Sequence, residues 1–257
     1  MSAYSDFAYF YDKLTDESDY DERSEYIASL FAENSVTGGI LLDAACGTGR
    51  LSQKLENHGF DVIGVDISED MLSVATERKA LTGSNSLYLC QDISELDLYG
   101  TINCAVCTLD SINHITDPEK LKKAFCRIGL FMEKGGIFIF DVNTPYKHKE
   151  ILGDNAFVFD TDDVFCVWQN EYDGKTQAVH IWLDLFSPGD DGLYERYSED
   201  FCEVIYSDEF LKEALSRAGF SVKNIYADLT RQKVESDTQR AVYVCEKITE
   251  TNSVFKE

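Results

Sequence analysis

Residues 40–51 constrain what this chain can fold into more than any other stretch. Ile40, Leu41 and Leu42 form an apolar run that ends in an acid, Asp43. Ala44, Ala45, Cys46, Gly47, Thr48 and Gly49 follow, and a helical pattern begins at Arg50 and Leu51. The pattern predicts a buried strand, a tight turn and a helix N-terminus, an arrangement in which backbone approaches a nucleotide-like ligand. Gly47 and Gly49 open conformations closed to residues with a Cβ and let a ligand touch the main chain. A dinucleotide fingerprint would place a third glycine three residues after the second, where this chain has Ser52. Asp43, at the mouth of the turn, would repel a pyrophosphate and suits a ligand carrying an ammonium group.

The neighbouring segments repeat the theme. Residues 61–67 are apolar and end in Asp66, placed to accept two ribose hydroxyls at the tip of an adjacent strand. Residues 87–93 form a third strand that ends in Gln91, Asp92 and Ile93, with Asp92 placed to meet an adenine amino group. A single acid at a strand end is often a helix N-cap or an Asx turn. Three in succession point to a ligand.

At these residues the chain resembles the class I S-adenosylmethionine-dependent methyltransferases. The segment from Asp43 to Gly49, Asp66 and the Asp92–Ile93 pair match that family's pattern, and the resemblance runs from about Tyr4 to Val142 and resumes in the last strands. It implies a Rossmann-like three-layer α/β sandwich around a seven-stranded, mostly parallel sheet, with S-adenosylmethionine as cofactor. It implies that Asp43, Ala44, Ala45, Cys46, Gly47 and Gly49 hold the methionine part and that Asp66 holds the ribose. Ile67 and Met71 would pack on the adenine, with Gln91, Asp92, Ile93 and Leu109 around them. Tyr11, in an aromatic-rich opening segment, would lean on the cofactor, with Tyr20 a second candidate.

From 40 to 142 strand and helix patterns alternate, which argues for a parallel sheet covered on both faces. Ser68 and Asp117 are placed as helix caps, Pro118 as a first helical residue, and Gly135–Gly136 as a helix stop. Ligands of such sheets lie beyond the carboxyl ends of the strands. That places the methyl acceptor near Asp110, Asn113 and His114 after the fourth strand, and near Asn143 and Tyr146 after the fifth. Asp110 and His114 are the candidate catalytic pair, needed as general base if the acceptor is a hydroxyl.

Residues 155–206 switch to two-residue alternation, with Asp173–Gly174 as a hairpin signal and a third strand near 193–206. Val179, Ile181, Leu183 and Leu185 share one face, read as sheet interior; His180, Trp182, Asp184 and Phe186 share the other, read as the substrate-facing side. Trp168 and Trp182 are the aromatic candidates there. The expected organisation is a cap over 1–39, a cofactor-binding domain over 40–145 and 207–248, and a β lid over 146–206.

The 257 residues carry a formal net charge of -24, from 23 basic and 47 acidic side chains. Nucleic acid and anionic membranes are disfavoured, because their binding needs lysine and arginine against phosphate. No apolar run approaches the roughly 20 residues of a membrane span, and no export signal is visible, so a cytoplasmic enzyme is expected. The 8 cysteines lie mostly in apolar runs, as free buried thiols do. Cys104 and Cys107, three apart on a strand, point to opposite faces and share neither disulfide nor metal. The resulting expectation is methyl transfer to a small N- or O-acceptor by a monomer or homodimer, with no metal. A nicotinamide-dependent oxidoreductase and a non-catalytic S-adenosylmethionine-binding module are the competing readings.

Overall fold

A computed structural model describes residues 7–14, 17–189 and 192–250. Tyr4 and the polar tail beyond 250 lie outside the described residues.

Helices α1 (Phe7–Leu14) and α2 (Glu17–Glu33) precede the sheet. The core then runs β1 (Gly39–Ala44), α3 (Arg50–Asn57), β2 (Phe60–Asp66), α4 (Glu69–Thr82), β3 (Leu87–Cys90), β4 (Ile102–Cys107), α5 (Pro118–Phe131) and β5 (Met132–Asn143). A second sheet follows, β6 (Ala156–Asp160), β7 (Phe165–Asp173), β8 (Ala178–Pro188) and β9 (Tyr194–Val204). Helix α6 (Asp208–Arg217) and strands β10 (Phe220–Ala227) and β11 (Arg240–Lys247) close the chain. The central sheet has the order β10-β11-β5-β4-β1-β2-β3, with β11 antiparallel to both neighbours. This is the Rossmann-like architecture expected from the sequence, with an antiparallel sheet of order β6-β7-β8-β9 inserted as a lid.

Local chemistry sets the element boundaries. Ser68 accepts a hydrogen bond from the Met71 N–H at the start of α4, Asp117 from Glu119 before Pro118 in α5, and Ser207 from Phe210 in α6. Such caps are each worth about 1 kcal/mol. On α5, Leu121, Ala124, Phe125 and Ile128 are fully buried at helical spacing. Gly135–Gly136 does not stop that helix. The helix ends at Phe131 and both glycines lie inside β5, where a Cβ on Gly136 would come within 2.7 Å of the Asn103 carbonyl. They permit a bulge that shifts the β4–β5 register between Ile102 and Cys104.

Each face of the central sheet carries its own core. Phe125, Phe138, Phe140 and Phe220 pack with α5 and α6 on one side. Ile27, Leu30, Phe31, Leu51 and Leu55 pack from α2 and α3 on the other. Cys107 belongs to the first core and Cys104 to the second, the opposite-face placement that strand geometry predicts. The lid has a third core, in which Val179, Ile181, Leu183 and Leu185 meet Ala8 and Phe10 of α1 and Met71 of α4. Its first strand, β6, has no alternating signature and is absent from the sequence reading. The Asp173–Gly174 hairpin is also longer than a two-residue turn: Asp173 pairs with Ala178, and its carboxylate accepts the Lys175 N–H and the Thr176 hydroxyl. Among the described residues no helix is long and apolar enough to cross a membrane.

Candidate active site

The carboxyl ends of β1, β2, β3 and β4 open on one cavity of about 630 Å³, walled on its far side by the lid. At the glycine turn the backbone alternates in hand, with φ of 59° at Ala45, 53° at Gly47 and 72° at Gly49. The Gly47 N–H donates to Asp66 Oδ2 at 2.7 Å, and the Ser68 N–H donates to Oδ1 at 2.9 Å. Asp66 thereby fixes the turn to β2 while each oxygen keeps lone-pair capacity for a ligand hydroxyl. A Cβ at Gly47 would meet no protein atom within 4 Å and would project into the cavity. At Gly49 it would strike the Tyr88 hydroxyl at 2.4 Å, so this glycine is demanded by packing.

Asp43 is buried beneath the turn and accepts the Ser52 hydroxyl at 2.5 Å. Burial pushes its carboxyl up to about 7, against the lowering effect of that hydrogen bond and with help from Asp66. Ser52, where a dinucleotide site would have glycine, is thus the support of the Asp43 carboxylate. Beyond Asp66, the Ile67 side chain is 62% exposed over the opening. Met71 and Ile93 complete an apolar slot, and Asp92 caps a short 3-10 turn by accepting the Ser94 N–H at 2.8 Å. Helix α1 closes this end: Tyr11 and Tyr20 meet hydroxyl to hydroxyl at 3.4 Å, and Asp12 binds the Thr48 hydroxyl, Arg50 and Arg78.

The other end is an ionic network. Leu109 and Asp110 both adopt left-handed backbone, with φ of 57° and 56°. Their N–H groups donate to the two oxygens of Asp141 at 2.9 and 2.8 Å. Arg240, the first residue of β11, bridges Asp141 at 2.5 Å and Asp110 at 2.6 Å. Burial would raise the Asp110 carboxyl, but Arg240 and His114 outweigh it and hold it well below the ordinary range. His114 Nε2 lies 3.8 Å from Asp110 and 3.9 Å from Glu203 of β9. Burial alone would lower its pKa; these two carboxylates raise it instead.

Glu203 Oε2 accepts from Asn143 Nδ2 at 2.8 Å and meets His148 Nε2 at 3.0 Å. His148 Nδ1 faces the Thr144 carbonyl, so the contact with Glu203 needs a second proton, on Nε2 or on the carboxyl. Facing donor atoms of Asp110, His114 and Glu203 lie within 4.8 Å of one another. Arg240 pairs with Asp110, which ties this cluster into the ionic network.

Similarity to known proteins is extensive. A family model for a methyltransferase domain matches residues 41–136. A methyltransferase homologue from Geobacillus sp. (strain WCH70) is 31% identical over 95% of this chain and 99% of its own length. The chain belongs to the class I S-adenosylmethionine-dependent methyltransferases. The crystal structure of an S-adenosylmethionine-dependent methyltransferase from Clostridium acetobutylicum superposes with a TM-score of 0.85 at 33% identity, covering 96% of this chain and 99% of that one. A sugar N-methyltransferase from Streptoalloteichus sp. shares the fold, with a TM-score of 0.77 at 20% identity over 95% and 92% of the two chains. The nicotinamide reading falls with this membership.

The cavity of this methyltransferase brings together most of the residues singled out from sequence. Tyr11, Tyr20, Asp43, Ala45, Cys46, Gly47, Asp66, Ile67, Met71, Gln91, Asp92, Ile93, Leu109, Asp110, His114 and Trp168 line it. Ala44 and Gly49 support the turn from behind. Asn113 and Asn143 are buried braces: Asn113 donates to the Val204 carbonyl and accepts the Asn143 N–H. Tyr146 stands off the wall. Trp182 is 40% exposed on the outer side of the lid, stacked on His180, so the face of β8 that carries it turns away from the cavity, contrary to the expectation from sequence, and the Leu183 face turns toward it. In the β8 register Leu183 stands beside Trp168, Ile181 beside Phe201 and Val179 beside Glu203. The face that is purely apolar on β8 is therefore mixed on the whole sheet. Glu203, Phe201, Lys147 and Arg240 are cavity residues that sequence reasoning missed. Extending the alternation along 193–206 finds Phe201 and Glu203. An antiparallel last strand begins at the ligand edge of the sheet, which finds Arg240.

Proposed function

We propose that this methyltransferase methylates an amine or hydroxyl of a small molecule held between the carboxyl end of β4 and the inner face of the lid. The cofactor supplies an electrophilic methyl group on a sulfonium leaving group. Asp43 would hold its ammonium, Asp66 its ribose hydroxyls, and Ile67, Met71, Asp92 and Ile93 its adenine, with Tyr11 and Tyr20 closing over it. Residue chemistry fits: carboxylates where a cation and hydroxyls need acceptors, an apolar slot where a base needs a face, and open space at Gly47.

The reading is carried by one observation: strand-end acids and the lid share a single cavity of about 630 Å³, room for a nucleoside and a small acceptor but not for a folded macromolecule. The sugar N-methyltransferase sharing the fold uses an acceptor of this size class, and the net charge of -24 opposes an RNA or DNA acceptor. Trp168, Leu183 and Phe201 would exclude water and align the acceptor, a contribution of roughly 7–11 kcal/mol for well-oriented reactants.

The test pairs calorimetric titration of S-adenosylmethionine, S-adenosylhomocysteine and NADH with a transfer assay using methyl-labelled donor. Binding of the first two, and label entering an ultrafiltered metabolite fraction, is the expected result. Label confined to protein or RNA fractions would defeat the small-acceptor assignment.

A further inference from the structure

Methylating a hydroxyl or an ammonium requires a group that takes a proton, and the two residues first considered for it are poorly suited. Asp110 is held as a carboxylate by Arg240 at 2.6 Å, which makes it a weak base. His114 stands between the carboxylates of Asp110 and Glu203, which favour its imidazolium form. Another cavity residue is free for the task. Lys147 opens the π-helical turn Lys147–Leu152 directly after β5 and lines the acceptor end. Among the described residues its Nζ makes no hydrogen bond or ion pair, while every other charged group of the cluster is engaged. Single π-helical turns are frequent at functional sites.

We propose that Lys147 Nζ is the proton acceptor of the methyl transfer, an inference that rests on the small-acceptor reading above. For a hydroxyl, the O–H bond breaks as the oxygen bonds the methyl carbon and the proton moves to Nζ; for an ammonium, the N–H bond breaks first, the proton moves to Nζ, and the freed lone pair then bonds the methyl carbon. The electron pair of the broken carbon–sulfur bond leaves on sulfur. Four charged groups face Lys147: Arg240 from β11, Asp110 from the β4 loop, Glu203 from β9 and Asp141 from β5. Burial and then Arg240 push the amine down from its ordinary range, while the three carboxylates oppose them. The amine is thus neutral more often than a surface lysine, and the lysinium formed on proton uptake meets carboxylates on two sides. A positive charge on the donor adds to Arg240 in disfavouring protonation before transfer, and its loss afterwards favours it.

Protein carrying lysine labelled with carbon-13 at Cε reports each amine's titration by NMR, with Lys147 identified by the signal lost in Lys147→Arg. Lys147 is expected to titrate below the exposed lysines, and lower still with S-adenosylmethionine than with S-adenosylhomocysteine. Titration alongside the surface lysines overturns the assignment. On an acceptor found by the metabolite screen, Lys147→Gln and the charge-retaining Lys147→Arg are both expected to lower kcat about a hundredfold and to abolish its rise with pH. Cofactor affinity should stay within about twofold. A kcat retained by Lys147→Arg would show that the positive charge, not the base, matters, and would overturn the proposal. The NMR titration needs no acceptor, so its failure is distinct from failure of the small-acceptor reading, which the screen decides.

Discussion

The two ends of the cavity are built by different means. At the cofactor end each strand-end acid has a hydrogen-bond partner close in sequence: Asp66 has Ser68, Asp92 has Ser94 and Asp43 has Ser52 nine positions on, with longer-range bonds from Gly47 to Asp66 and from Arg78 to Asp12 added to them. At the acceptor end the partners come from distant segments. Asp110 pairs with Arg240 across 130 positions, Asn113 with Val204 across 91 and Glu203 with His148 across 55. The strand-end acids of the first end are a property of the strand–turn–helix repeat, with α1 closing over them. The second exists only once the β4 loop, β5, the π-helical turn, β9 and β11 have come together.

The largest effect separating the two ends is expected from Asp66→Ala. If Asp66 holds two ribose hydroxyls as proposed, its loss should weaken S-adenosylhomocysteine binding by about 3–4 kcal/mol. It would also strand the Gly47 and Ser68 N–H groups, so a thermal melt is needed beside the titration. Unchanged affinity in the folded variant would remove Asp66 from the ribose role. Next comes Asp141→Asn at the acceptor end. Asp141 is 1% exposed and holds two consecutive left-handed residues, each costing about 1 kcal/mol or more in isolation. The amide can accept from only one of the two N–H groups. Stability should fall by about 2–3 kcal/mol in denaturant titrations and kcat by about thirtyfold, with S-adenosylhomocysteine affinity nearly unchanged. An equal loss at both ends would mean that the cavity is one cooperative unit rather than two.

That contrast also explains what was legible in the sequence. The glycine turn, Asp43, Asp66 and Asp92 announce themselves because strand period, turn chemistry and helix caps act within a few residues. Arg240 sits at the head of an unremarkable strand, and only its antiparallel direction brings it to the ligand edge. Lys147 lies in a π-helical turn that no periodicity marks. Asn113 and Asn143 do face the right region but serve as buried braces, a distinction set by which atoms their amides reach.

A smaller effect, tied to pH, tests the cofactor end alone. Asp43 has a folded-state pKa raised to about 7, chiefly by burial. A raised carboxyl pKa favours the protonated form, so its contribution to the stability of the ligand-free protein is full below the ordinary carboxyl range and is lost as pH rises through about 7. Binding of an ammonium requires the ionised form, which reverses the sign for the ligand. Affinity for S-adenosylhomocysteine should therefore drop about tenfold for each pH unit below 7, equivalent to ~1.4 kcal/mol. Calorimetry in buffers of different ionisation enthalpy should record proton release near pH 7. Asp43→Asn should flatten the profile; a flat profile in the unmodified protein would place the ammonium elsewhere.

The smallest expected effects come from two tryptophans on opposite faces of the lid. Trp168 faces the cavity, where its indole N–H donates to Asn170 Oδ1 at 2.6 Å and its ring meets Phe157 and Phe159. Trp182 pairs with Gln169 one position along and faces away. Trp168→Ala removes part of the cavity wall at the proposed acceptor site and should raise the acceptor KM about tenfold, ~1.4 kcal/mol, with little change in cofactor affinity. Trp182→Ala should shift stability by no more than about 0.5 kcal/mol and leave both constants alone. Kinetics on the identified acceptor checks both variants side by side. If Trp182 moved the acceptor KM and Trp168 did not, the face carrying Leu183, Phe201 and Glu203 would lose its claim to the substrate. The distinction between a locally built cofactor end and a tertiary acceptor end would then have to be redrawn around the outer side of the lid.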